Sequence, residues 1–192
     1  MRGSFFQAPR RLLLSGLLLL AMPALLPAGD RDRVSPAVRR SLELLQQTAA
    51  TYTDQRDCFS CHHQALPSMA VALAASRGFD VSRPQLALQG EFTANFFLQR
   101  SEKLEQGKGV PGGPYTAAYA AVQLAADGKR QLRASELLVS YLRQTRQKEG
   151  HWKIQTHRPP LEDSDFTATA LSLAALRLHV QDADLERTGQ VI

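Results

Sequence analysis

Three alanine-rich and almost wholly apolar runs recur along the chain at intervals of about fifty residues, over 69–75, 117–124 and 166–179. A helix with no polar face must be enclosed by other elements, so each run predicts an inner helix. Between them lie segments with one apolar face. Val38, Leu42, Leu45 and Ala49 fall at i, i+4, i+7 and i+11, with Arg39, Arg40, Glu43 and Gln46 turned away. Leu88, Phe92, Phe96 and Leu104 repeat the pattern opposite Gln99, Arg100, Glu102 and Lys103, and Leu137, Leu138, Tyr141 and Leu142 give it a third time. The copies are in register: Tyr115-Thr116-Ala117 returns as Phe166-Thr167-Ala168, and Val71 and Leu73 align with Val122 and Leu124. The spacing predicts an all-α fold of three α/α-hairpin repeats, with the apolar helices inside and the half-polar ones outside.

Helix boundaries are marked by their usual residues. Ser35-Pro36 supplies an N-cap and a first-position proline after a charged linker over 30–34, and Ser82-Arg83-Pro84 opens the second hairpin. Gly78 and Gly128 close two of the inner helices. The loops expected are 51–64, the glycine- and proline-rich 107–114, and 148–164.

With 192 residues, 44% hydrophobic and 21% charged, the chain can form one domain with a real core. Residues 1–28 have a different character. They carry Arg2, Arg10 and Arg11 with no acid, then Leu12-Leu13-Leu14 and the leucines to Leu20, and end at Pro27-Ala28. This reads as a secretory signal peptide cleaved near Ala28, with an uncleaved membrane anchor as second choice because the apolar run is short and holds two prolines. Export to the periplasm or outside the cell follows. The leader accounts for three of the five net positive charges, and the +2 left on 29–192 gives no argument for nucleic acid.

The chain's only cysteines stand in Cys58-Phe59-Ser60-Cys61-His62-His63. C-x-x-C-H is the pattern of covalent c-type haem attachment, in which two thiols three positions apart bond the two vinyl groups of one porphyrin and the adjacent imidazole ligates the iron. Cys58, Cys61 and His62 are therefore the candidate cofactor site, over 58–62, with His62 as the metal ligand and covalent haem c as the cofactor. A thioredoxin-type motif would need a strand beside it, and none is expected. A zinc site would take His62 or His63 as third ligand and would need a further one, for which His151 and His157 are the candidates. A local disulfide stays open.

Gln147-Lys148-Glu149-Gly150-His151-Trp152 matches the Q-x(2-5)-G-x-W signature of the prenyltransferase and squalene oxidase repeat, and 36–180 resembles the α/α toroids of the squalene-hopene cyclases. That resemblance implies that Gln147 and Trp152 tie the end of one helix to the turn before the next. Asp163-Ser164-Asp165-Phe166-Thr167-Ala168 resembles the acid motif of class II terpene cyclases, with Asp165 in the place of the proton donor, although Phe166 replaces its last aspartate. Read without the resemblance, Ser164 and Asp165 form a helix N-cap with an acid at the positive dipole end. Complete toroids have about twice as many hairpins, so the chain is expected to form a partial ring, about half. Self-association or a second half-toroid would complete it. A loosely defined group of exported repeat proteins carries a stretch similar to Cys58–Gln64 ahead of the first inner helix, which implies a haem or metal function grafted onto such a scaffold.

The leading expectation is an exported mono-haem c-type cytochrome-like protein serving electron transfer or a haem-linked redox reaction. It would need a redox partner protein, and it would meet a membrane only if the leader is uncleaved. Met69, His151 and His157 are candidates for the sixth iron ligand, each with a plainer reading as core or surface residue. The alternatives are a terpene cyclase-like enzyme with Asp165 as acid, and a binding module with a disulfide or metal at Cys58 and Cys61.

Overall fold

A computed structural model describes residues 28–129, 132–159 and 162–179, so the leader expected over 1–28 lies outside the described residues apart from Ala28. The chain divides into two compact units, Met1–Val38 and Arg39–Ile192, and the packing below concerns the second. The fold is all-α: α1 (Ala28–Gln55), a π-helical turn (Cys61–Ala65) running into α2 (Leu66–Ser76), α3 (Arg83–Leu98), α4 (Ser101–Glu105), α5 (Gly113–Ala126), α6 (Arg133–Thr145) and α7 (Asp165–His179). Among the described residues the only β feature is the isolated bridge between Arg158 and Glu162. None of these helices is long and apolar enough to cross a membrane.

Helix α5 is the centre of the core. It packs against α2, α3, α6 and α7, and every residue from Gly113 to Ala125 is buried. Its alanines let neighbouring backbones come close, while Tyr115, Tyr119, Val122 and Leu124 fill the space between. Leu137, Leu138, Tyr141 and Leu142 of α6 are buried as the periodicity predicts.

The other two apolar helices differ from expectation. On α2, Val71 and Ala74 are buried but Leu66, Ala70 and Leu73 are exposed; on α7, Ala168, Ser172 and Ala175 are buried but Phe166, Ala170 and Leu173 are exposed. The physical reason is the number of neighbours. Helix α2 packs on α3 and α5, and α7 on α5 and α6, so each has about half the cover that α5 has.

Three boundaries also move. Helix α1 begins at Ala28 and carries Pro36 inside it, so Ser35 is no N-cap; the stretch 30–34 holds no glycine or proline to stop a helix. At its other end α1 continues through Thr51 to Gln55, and the loop before α2 shrinks accordingly. The second outer helix breaks after Leu98, where Arg100 donates from Nη1 to Phe96 O (2.8 Å) and lies over the Phe96 ring at 3.7 Å. Leu104 reaches the core from the separate α4, and Leu88 is exposed.

Polar side chains decide which face of α3 is buried. Gln123 of α5 accepts from Thr93 Oγ1 (3.0 Å) and donates to Ser68 Oγ (3.3 Å) and Gln89 O (3.4 Å), while Gln89 Nε2 donates to Ala49 O (3.2 Å). One buried amide thus joins α2, α3 and α5, and Gln89 extends the link to α1. At the end of α5, Asp127 has both carboxylate oxygens buried without a hydrogen-bond partner. Burial pushes its pKa up to about 6, against the pull of the Lys129 charge.

Candidate functional site

The C-x-x-C-H segment crosses from irregular chain into helix. Cys58 lies in the link after α1, Ser60 is extended, and the helical course starts at Cys61. Ser60 caps that start: its hydroxyl accepts from His63 N at 3.2 Å, and its own N–H donates to Gln64 Oε1 at 2.8 Å. This is a reciprocal cap of the capping-box kind with its glutamine one residue later than usual, at i+4 from Ser60. The first turn is wide, because Ala65 N bonds Ser60 O at 3.2 Å and Leu66 N bonds Cys61 O. Cys61 to His63 therefore stand on a helical turn rather than in the loop expected from sequence. Phe59 anchors the segment by packing on Phe97 and Phe96, with ring centroids 5.2 and 6.2 Å apart.

Both cysteines are free thiols, and they face different neighbours. Cys58 is exposed, and its sulfur lies 3.1 Å from the Tyr52 hydroxyl of α1. Burial, then Cys58 itself, pushes the Tyr52 hydroxyl up to about 12. Cys61 is half-buried against the core, with the Thr116 hydroxyl of α5 near its thiol. Burial pushes its thiol up to about 12; the Thr116 hydroxyl and Arg158 pull the other way, and Glu162 adds to the rise. A thiol so placed stays protonated, which opposes thiolate chemistry.

His62 is exposed and turned to His63, with centroids 4.4 Å apart, and the His63 ring stacks on Tyr52 at 4.9 Å. Partial desolvation, His63 and Arg158 all lower the pKa of His62, which keeps the imidazole in the neutral form that ligates metals.

The loop over 146–164 comes to the same end of the scaffold and contributes charges to the site. Arg158 donates to Glu162 Oε2 from Nε (2.7 Å) and Nη2 (2.6 Å), and Thr156 holds the other oxygen of that carboxylate. Glu162 is 3% exposed. Sequence reading missed Arg158, Glu162, Thr116 and Tyr52. Nothing in their local pattern marks them, since each meets the motif through tertiary contact.

The remaining sequence candidates separate. His157 Nε2 pairs with Asp163 Oδ1 at 2.6 Å, so one ring nitrogen is engaged at an exposed position. Met69 is partly buried against the core. Asp165 Oδ1 accepts from Ile154 N at 2.9 Å, and Ser164 Oγ caps α7 by accepting from Phe166 N at 3.1 Å. Gln147 Nε2 donates to Thr145 O at 3.2 Å, and the fully buried Trp152 donates from its indole to Leu142 O at 2.7 Å. Both thus bond carbonyls at the end of α6. Gly150, at φ 92°, makes the turn between them, a conformation that favours glycine. Among the described residues no group of three or more His, Cys, Asp and Glu side chains is arranged to hold a metal ion. Comparisons with family models, curated proteins and solved structures gave no match.

Proposed function

We propose that the chain is an exported mono-haem c-type protein, with haem bonded to Cys58 and Cys61 and ligated by His62. One observation supports this above the others: two uncrosslinked thiols with separate neighbours on α1 and α5 lead into a turn that carries the His62 imidazole at its start. When bound, the group would supply a one-electron iron couple.

The chemistry of the donor set fits that group. A thioether forms when S–H adds across a vinyl C=C, so the sulfur ends neutral and the bond suits a half-buried thiol such as Cys61. A thiolate metal site would have to ionise that same thiol against its desolvation. A disulfide would bring the sulfurs to about 2 Å, and both thiols are uncrosslinked here. His62 enters as the neutral ligand, while His63 is held back by its stack on Tyr52. Phe59, wedged on Phe96 and Phe97, fixes the backbone between the thiols.

The scaffold is read as three hairpins of a partial α/α toroid, about half a ring, of the squalene cyclase-like repeat type. Self-association or a second half-ring would complete it, and a redox protein would be its electron partner, in the periplasm or outside the cell. The bonds of Gln147 and Trp152 to the end of α6 support the repeat reading. An acid role for Asp165 has less support, because its carboxylate already anchors Ile154.

The test is an absorption spectrum, oxidised and dithionite-reduced, of the protein exported in a host with haem-attachment machinery. A reduced α-band that survives denaturation and is lost in the Cys58→Ala Cys61→Ala variant is the expected result. A colourless protein would sink the proposal.

A further inference from the structure

We propose that Arg158 receives a carboxylate of the porphyrin attached at Cys58 and Cys61, an inference that rests on the haem reading above and adds the residue that holds the group's acidic edge. A porphyrin of this kind carries two propionates, and the planar fork of a guanidinium is the side chain best matched to a carboxylate.

Arg158 is built into place. Glu162, almost fully buried, takes Nε and Nη2 on one oxygen, and Thr156 takes the other oxygen. The two backbones also exchange bonds, Arg158 N to Glu162 O at 2.8 Å and Glu162 N to Arg158 O at 3.1 Å. Nη1 enters neither of the bonds to Glu162, and the side chain is 59% exposed. A short clip built on the buried Glu162 thus fixes an exposed guanidinium. Pre-organisation of this sort lowers the ordering cost of taking a ligand.

The clip stands beside the cysteine motif. A Cβ on Gly112 would lie 2.1 Å from Thr116 Oγ1 and 2.9 Å from Arg158 Nη2, so those two groups meet over the same glycine, whose φ is 86°. Thr116 in turn stands near the Cys61 thiol, which also feels the Arg158 charge. Loop 107–114 and α5 therefore bring a charge from position 158 to the neighbourhood of the second thiol. Of the other guanidinia on this side of the motif, Arg100 lies on the Phe96 ring and bonds Phe96 O, while Arg56 acts on Tyr52 beside Cys58 and has no clip of this kind holding it among the described residues.

A plainer role for Arg158 is to neutralise Glu162, and the experiment separates the two. Haem labelled with 13C at its propionate carboxyls is loaded into the exported protein, and reduced-minus-oxidised infrared difference spectra are compared for wild type, Arg158→Lys and the Arg158→Gln Glu162→Gln double variant. Arg158→Lys keeps a cation for Glu162, and the double variant removes both charges together, so neither leaves a lone buried carboxylate. The expected result is a label-sensitive carboxylate band that shifts in Arg158→Lys and moves to the position of a solvated carboxylate in the double variant. Label-sensitive bands that coincide in all three proteins would overturn the assignment while leaving the attached haem intact. A wild type without covalent haem would overturn the haem reading itself.

Discussion

Helices α5 and α7 carry the same sequence signature and meet opposite environments. Tyr115 and Phe166 open matching triplets fifty-one positions apart, yet Tyr115 is 2% exposed and Phe166 is 89% exposed. The inward faces do agree: Ala117 and Ala168 are both buried, as are Ala121 and Ser172. What differs is the cover on the opposite face, which α2 and α3 help to supply for α5. An apolar run records that a helix can be enclosed. Its neighbours determine whether it is.

The largest expected effect comes from the matched pair itself. Tyr115→Ala should cost about 3–5 kcal/mol, the usual range for removing a buried aromatic side chain, whereas Phe166→Ala should stay within about 0.5 kcal/mol. Urea unfolding of both variants checks this, and equal losses would show that Phe166 is covered in solution.

The carboxylates on these helices extend the contrast. Asp165 on α7 is satisfied by Ile154 N, while Asp127 at the end of α5 is buried without a hydrogen-bond partner. Because the folded pKa of Asp127 is raised to about 6 from 3.8, the folded state binds the extra proton between those values. The stability it contributes is fully present below pH ~4 and is lost as pH rises through about 6, by about 2–3 kcal/mol. Asp127→Asn should flatten that part of the stability curve and raise stability at neutral pH. An unchanged pH dependence in the variant would show that Asp127 is solvated.

The smallest effect tests packing volume. Ala121→Leu on α5 should cost about 1–3 kcal/mol by overpacking, and Ala174→Leu on the exposed face of α7 should be near neutral. Thermal unfolding midpoints of the two variants would report the difference, and equal midpoints would contradict the enclosure of α5.

Much of the fold was legible because it rests on local periodicity. The all-α character, the α6 stripe from Leu137 to Leu142 and the cap at Ser164 can all be read from spacing and residue type. The burial of α2 and α7 was not legible, since a run of alanine and leucine holds no count of its neighbours. Nor was the break at Arg100, which depends on a guanidinium finding the Phe96 ring. At the candidate site the residues along the chain, Cys58, Cys61 and His62, declared themselves by pattern. Thr116, Arg158 and Glu162 lie about fifty and one hundred positions away, and nothing in their sequence ties them to the cysteine motif. A buried glutamate was the least expected of them, because an isolated carboxylate in a loop ordinarily stays in water.

The wide turn at Cys61–Ala65 has a bearing on how such a motif could be transplanted. A π-turn amounts to one surplus residue in a helix, and one residue of an α-helix corresponds to a rotation of about 100°. The stripe of α2 that includes Val71 and Ala74 is set by packing on α3 and α5, whereas the heading of Cys61 and His62 is set by that surplus residue upstream. The two can be retuned separately. Shortening the turn by one residue would swing the thiol and the imidazole around the helix axis while leaving the seam of α2 on α3 and α5 untouched.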